Sequence, residues 1–247
     1  MNPDISYILI FAIVLLSFSL RSFAGFGGAL LCIPLLSFFF NIEEVVPLEA
    51  LLEVYISLIL LFQTYRQVIW KEVFILLTGA ILGSVLGMVV LVKYISNSMV
   101  LYFVLGLAGL GTGLFFLINK NVNSVFKSKL SPVFGFIGGF FGSLIGTSGL
   151  PYIIYFRGRS FDKKEIRSSL IFVFLIDYLS RVVFFTYSDR LSKGIFIQSL
   201  WLVPALLISF FFGKYFFIKA SNKIFKLITS IIIILTSILL LIKNILL

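Results

Sequence analysis

The chain has no histidine, one cysteine and few charges, and each shortage removes a class of function. Without histidine, the usual metal ligand, general base and near-neutral proton carrier are all missing from its 247 residues. Gly146-Thr147-Ser148-Gly149 has the Gly-x-Ser-Gly outline seen around the serine of intramembrane proteases. A serine nucleophile needs a base, however, and every lysine lies near the end of an apolar segment, so no enzyme activity is expected. The lone Cys32 rules out an internal disulfide and reads as a packing residue within an apolar run. Only 12% of residues are charged and 60% are hydrophobic, against about 25% charged in soluble domains. With a mean hydropathy of +1.16, this is the composition of an integral membrane protein. Met1 to Ser6 carries no Lys or Arg and includes Asp4, so no cleaved signal is expected. No metal and no cofactor is expected either.

What remains is a series of apolar segments. A membrane helix needs about 20 apolar residues at 1.5 Å each. Residues 5–20 form the first segment and run into Arg21, a glycine cluster and a second apolar piece at 29–40. A polar connection, 41–47, ends at Pro47, which suits a helix start. Further spans are expected at 48–65, 73–92 and 99–118, then, after a polar stretch, at 132–156, 168–187, 195–213 and 224–242. The expectation is an all-α polytopic transmembrane bundle of about eight spans in two related four-span halves, each with a glycine-broken first helix. Residues 1–120 would form the first repeat, 121–131 a linker and 132–247 the second repeat. The net charge of +10 sits largely in short loops, as membrane topology requires, so nucleic acid is not an expected partner. The distribution of lysines and arginines leans toward an outside N-terminus, and the basic loops 157–167 and 214–226 read as topology signals and lipid headgroup contacts. Trp201 and Tyr215 suit the membrane interface.

Two interruptions organise the chain. In the first, Gly25, Gly27 and Gly28 follow Ser22-Phe23-Ala24 and precede Pro34; in the second, Gly146, Thr147, Ser148 and Gly149 precede Pro151. Unpaired backbone polar groups cost several kcal/mol each in hydrocarbon, so a broken helix survives only inside protein or along a wet cavity. Paired breaks in corresponding halves point to a transporter's binding site. A half-helix starting near Ala29 and another near Leu150 would turn N–H groups toward that site, which suits an anion. Gly79, Gly83 and Gly87, like Gly135, Gly139 and Gly142, read instead as close-packing positions. Charged residues inside spans complete the candidate set. Glu49 and Glu53 share a helix face, so one of them would hold a proton or both would share a cation. Asp177 and Arg181 are spaced to pair. Arg21 and Arg181 would neutralise an anionic substrate, with Glu53, Asp177 and Glu49 as proton-coupling candidates.

The segment Gly25-Phe26-Gly27-Gly28-Ala29-Leu30-Leu31-Cys32-Ile33-Pro34-Leu35-Leu36 resembles the Gly-x-Gly-Gly-small-apolar-Pro-Leu-Leu pattern of the sulfite exporter TauE/SafE family of bacterial membrane permeases. The second copy, Gly146-Thr147-Ser148-Gly149-Leu150-Pro151, keeps the outer glycines, places Ser148 at the middle one, and has Tyr155 where that family carries proline. The resemblance implies a secondary transporter, an exporter of sulfite or organosulfur acids, in a bacterial inner membrane, with alternating access around a central site. A small anion and the lipid bilayer are its expected partners, and a homo-oligomer is compatible with it. The alternative is a membrane scaffold or assembly subunit that transports nothing; it would tolerate neutralising Arg21, Arg181 and Glu53.

Overall fold

The computed structural model describes residues 3–37, 39–94, 126–145, 149–159 and 161–246, with scattered positions between 103 and 118. The ordered elements among these are all helical. In chain order they are α1 (Pro3–Ala24), α2 (Gly28–Ser37), α3 (Ile42–Thr64), a 3-10 turn (Tyr65–Gln67), α4 (Trp70–Tyr94), a second 3-10 turn (Ser128–Leu130), α5 (Ser131–Ile145), α6 (Gly149–Arg157), α7 (Lys163–Tyr187), α8 (Lys193–Trp201), α9 (Val203–Lys219) and α10 (Asn222–Leu246). Among the described residues four helices are long and apolar enough to cross a membrane, and the bent pair α8–α9 makes up to five. Most of the span expected at 99–118 lies outside the described residues; within it, a side chain at Gly106 would press on Leu241 of α10.

The first break falls where the glycines place it. Gly25 and Gly27 have φ of 81° and 99°, a left-handed backbone that costs other residues roughly 1–2 kcal/mol. α1 therefore ends at Ala24 and α2 restarts at Gly28, giving a half-helix of 10 residues, about 15 Å at 1.5 Å per residue. Pro34 lies within α2 rather than at the break. In the second half, α5 ends at Ile145 and α6 begins at Gly149. Residues 146–148, hence Gly146, Thr147 and Ser148, lie outside the described residues.

Two expectations are corrected. α3 starts at Ile42 rather than after Pro47. Asn41, in an extended backbone conformation, caps the helix start, and Glu43 and Glu44 lie at the positive end of the helix dipole. The span expected at 195–213 is bent by 43° between α8 and α9. Pro204 explains the bend: it has no N–H for the Leu200 carbonyl, and its ring clashes with that carbonyl in a straight helix. Trp201 closes α8 at the bend and packs edge-on against Tyr7 and Phe11 of α1.

The glycine rows act as packing surfaces. A Cβ at Gly79 or Gly83 on α4 would strike the backbone carbonyl of Pro132 or Phe136 on α5, and one at Gly135 or Gly139 would strike that of Leu76 or Ala80 on α4. α4 and α5 thus meet backbone to backbone, as small residues permit between membrane helices. α1 and α9 form a second close pair: Gly213 sits against Ser22, and the Ser209 hydroxyl donates to the Leu15 carbonyl at 3.0 Å. α3 packs along α7 and so brings the carboxylates of the first half against the charged face of the second.

Candidate functional site

The last turn of α1 carries Arg21 into the interior, where it is completely buried. Its Nε donates to Glu53 Oε2 at 2.6 Å and Nη2 donates to Ser57 Oγ at 2.8 Å. Nη1 donates to the carbonyl of Gly25, inside the break. One guanidinium therefore joins α1, the break and two turns of α3. Helical spacing puts Glu49 and Glu53 on one face of α3, as the sequence predicts, and adds Ser57 to it. Gly28 begins α2 directly against this face, since a Cβ there would run into Glu53 Oε1.

On α7, Asp177 and Arg181 do pair, with Arg181 Nη2 donating to Asp177 Oδ2 at 2.7 Å. Asp177 Oδ1 also accepts from Ser84 Oγ of α4 at 3.1 Å. The two ion pairs are joined by aromatic rings of α7. Arg21 lies over Phe174 at 4.9 Å and Arg181 over Tyr178 at 4.6 Å, and those two ring centroids are 6.2 Å apart. Tyr152 of α6 packs edge-on against Phe174 at 5.8 Å, which ties the second half-helix to the same wall.

Glu49 is the exception in this cluster. It is 1% exposed, and neither of its carboxyl oxygens has a hydrogen-bond partner. It is enclosed by protein, although it lies near the start of its span in sequence. Its electrostatic neighbours are Glu53, Arg181, Arg21 and Asp177. The Tyr152 hydroxyl and Arg181 Nε are also buried without partners. Buried polar atoms are nearly always satisfied in native proteins. Here an unpartnered carboxyl, an unpartnered phenol and an unpartnered guanidinium N–H belong to one cluster, which offers a ligand both donors and a proton site.

The structure also gives roles to basic residues read as loop signals. Arg167 is buried in the first half of α7 and donates from both Nε, at 3.0 Å, and Nη2, at 2.5 Å, to the Ser22 carbonyl. It thereby satisfies one of the open carbonyls at the C-terminus of α1 with a cation, the charge that helix end favours. Arg157 is buried too and donates to Ser230 Oγ of α10 at 3.0 Å. Arg159 bridges Glu72 at 2.8 Å and the Phe126 carbonyl at 2.9 Å, while the Tyr155 hydroxyl donates to the other oxygen of Glu72. Tyr155 thus anchors α6 to α4. Sequence reasoning missed Glu72 and Arg167 because each lies at the edge of an apolar segment, where a solvated charge is the ordinary outcome. Their only signal was placement within one helical turn of a span.

Of the residues singled out from sequence, Arg21, Gly25, Gly27, Gly28, Glu49, Glu53, Asp177 and Arg181 gather around the first break and the α3–α7 contact. Gly149 starts α6 and is buried. No group of three or more acidic, cysteine or histidine side chains suited to a metal occurs among the described residues.

Buried ion pairs, a broken helix and unpartnered polar groups are features that mark substrate and ion sites in membrane carriers. The comparison with known families agrees. The family described as sulfite exporter TauE/SafE matches residues 9–240, and the chain belongs to that family of membrane transporters. No curated protein and no solved structure matches it.

Proposed function

We propose that the protein is a secondary transporter that exports sulfite or a related small organosulfur anion across a bacterial inner membrane by alternating access. The observation that carries this reading is the buried cluster of Arg21, Glu53, Glu49, Asp177 and Arg181 at a helix break, where unpartnered donor and acceptor groups remain. Charges inside membrane segments are costly and mark substrate or proton pathways. In this reading Arg21 and Arg181 neutralise the anion, and the glycines at 25, 27 and 28 let backbone approach it. Gly146, Thr147, Ser148 and Gly149 approach from the second half. Glu53, Asp177 and Glu49 are the groups that carry the coupling proton in this reading.

A two-repeat architecture of eight spans, divided as 1–120, 121–131 and 132–247, fits this reading. It is supported by the order of elements: α6 and α7 start 121 residues after α2 and α3 (28 to 149, and 42 to 163). Related halves around a central site are the usual basis of alternating access.

The test is flux of labelled sulfite, and of a small sulfonate, in proteoliposomes with and without a pH gradient. Saturable flux is expected, and Arg181→Gln should abolish it while leaving membrane insertion intact. Absence of saturable flux of either anion would favour the scaffold alternative, whereas full flux in the Arg181→Gln protein would remove Arg181 from the site.

A further inference from the structure

Arg21 is the best-placed cation for an anion at the break, yet a carboxylate of the same chain already holds it. Glu53 Oε2 is 2.6 Å from Arg21 Nε, with side-chain exposures of 2% and 0%. The other carboxyl oxygen stands in the space a side chain at Gly28 would fill. Gly28 is the first residue of α2, so the Glu53 carboxylate lies at the positive end of that half-helix. A small anion drawn to the break by Arg21 and by the α2 terminus would have to occupy this same place.

We propose that Glu53 is a tethered substitute for the transported anion. Its carboxylate fills the Arg21 site when no substrate is bound, and an incoming anion displaces it only as Glu53 takes up one proton. This deepens the transporter reading above and rests on it. The physical reason is charge balance. A displaced carboxylate would remain buried near two other acids without its guanidinium, whereas a protonated one can leave at low cost. The change is a proton bound and an ion pair exchanged, with no covalent bond made or broken. One negative charge and one proton then occupy the site together, so anion and proton move as a neutral unit.

Several titratable and charged groups face Glu53. Arg21 comes from α1, and Arg167 of α7 lies within electrostatic range of Arg21. Cys32 comes from α2 and Tyr178 from α7. Glu49 lies one turn away on α3, within electrostatic range of Glu53, Asp177 and Arg181. α8 meets α3 through the neutral contact between Tyr55 and Ser199, 3.2 Å apart. Arg21 is the one of these in hydrogen-bond contact with the Glu53 carboxylate, so an anion arriving at Arg21 meets Glu53 first.

The experiment is calorimetric binding of sulfite to the purified full chain and to Glu53→Gln between pH 5.5 and 8. Sulfite titrates identically in both sets, so the ratio of the two affinities isolates the protein's contribution. The wild-type affinity is expected to fall relative to the variant by about tenfold per pH unit, the slope for one linked proton. A ratio that does not change with pH overturns the proposal while leaving the transporter reading standing. Failure of the wild type to bind either sulfite or a small sulfonate at any pH overturns both. A second measurement needs no variant: wild-type titrations at fixed pH in two buffers of different ionisation enthalpy. After correction for protonation of sulfite itself, about one proton taken up per anion bound supports the exchange, and none overturns it.

Discussion

Replacing Arg21 by methionine tests how much of the fold rests on the central ion pair. The guanidinium is fully buried and makes three side-chain hydrogen bonds, to Glu53, Ser57 and the Gly25 carbonyl. Methionine keeps much of the volume but leaves Glu53, 2% exposed, without its partner. Breaking a buried pair from one side costs about 3–5 kcal/mol, whereas replacing both partners by apolar residues is often neutral or stabilising. Against a total stability of about 5–15 kcal/mol, Arg21→Met alone should lower the unfolding midpoint in detergent strongly. The double variant Arg21→Met with Glu53→Leu should recover most of it. Arg190, exposed in the α7–α8 connection, is the control, and Arg190→Met should produce no measurable shift. Flux through the same preparations then separates fold from function: the double variant should be stable and inactive, because the cation that receives the anion is gone. A destabilisation by Arg21→Met no larger than that of Arg190→Met would refute the energetic argument. A stable double variant with normal flux would remove Arg21 from the binding site.

Three further outcomes follow from the geometry. Gly83→Ala should destabilise the bundle by about 1–3 kcal/mol, because the new methyl group meets the Phe136 carbonyl at the α4–α5 contact; thermal unfolding in detergent measures it. Gly27→Ala should cost roughly 1–2 kcal/mol for a different reason. The nearest atom to its added carbon, on Ile232, is at an ordinary 3.6 Å, but φ is 99°, so the cost is backbone strain and should be nearly the same for Gly27→Ser. Arg167→Gln should leave the Ser22 carbonyl short of a donor in the interior, at about 1–3 kcal/mol; faster amide hydrogen exchange in the last turn of α1 than in α7 would confirm that the effect is local.

Several features of this protein were legible in its residues alone. The apolar segments required a helical membrane bundle, because backbone polar groups in hydrocarbon must pair within the segment. Gly25 and Gly27 marked the first break because glycine alone takes a left-handed backbone without penalty. The i,i+4 spacing placed Glu49 beside Glu53 and Asp177 beside Arg181 before any coordinates existed, since a helix turn brings such residues together. The bend at Leu202 was not read from the sequence, although Pro204 carries its signal inside a segment otherwise apolar enough to pass for one straight span.

Other facts depend on which helices touch, and no local pattern encodes that. Arg21 has the same sequence neighbours whether it faces a free anion or a carboxylate; only the packing of α1 on α3 gives it Glu53. Arg167 and Arg157 look like loop charges until α7 and α6 carry them inward against Ser22 and Ser230. The same assembly leaves Glu49 without a partner, because Arg21 is held by Glu53 and Arg181 is paired with Asp177. Periodicity along the chain decides which face of a helix is polar, but the identity of the opposing charge is set by contacts between residues far apart in sequence, and these exist only in the folded molecule.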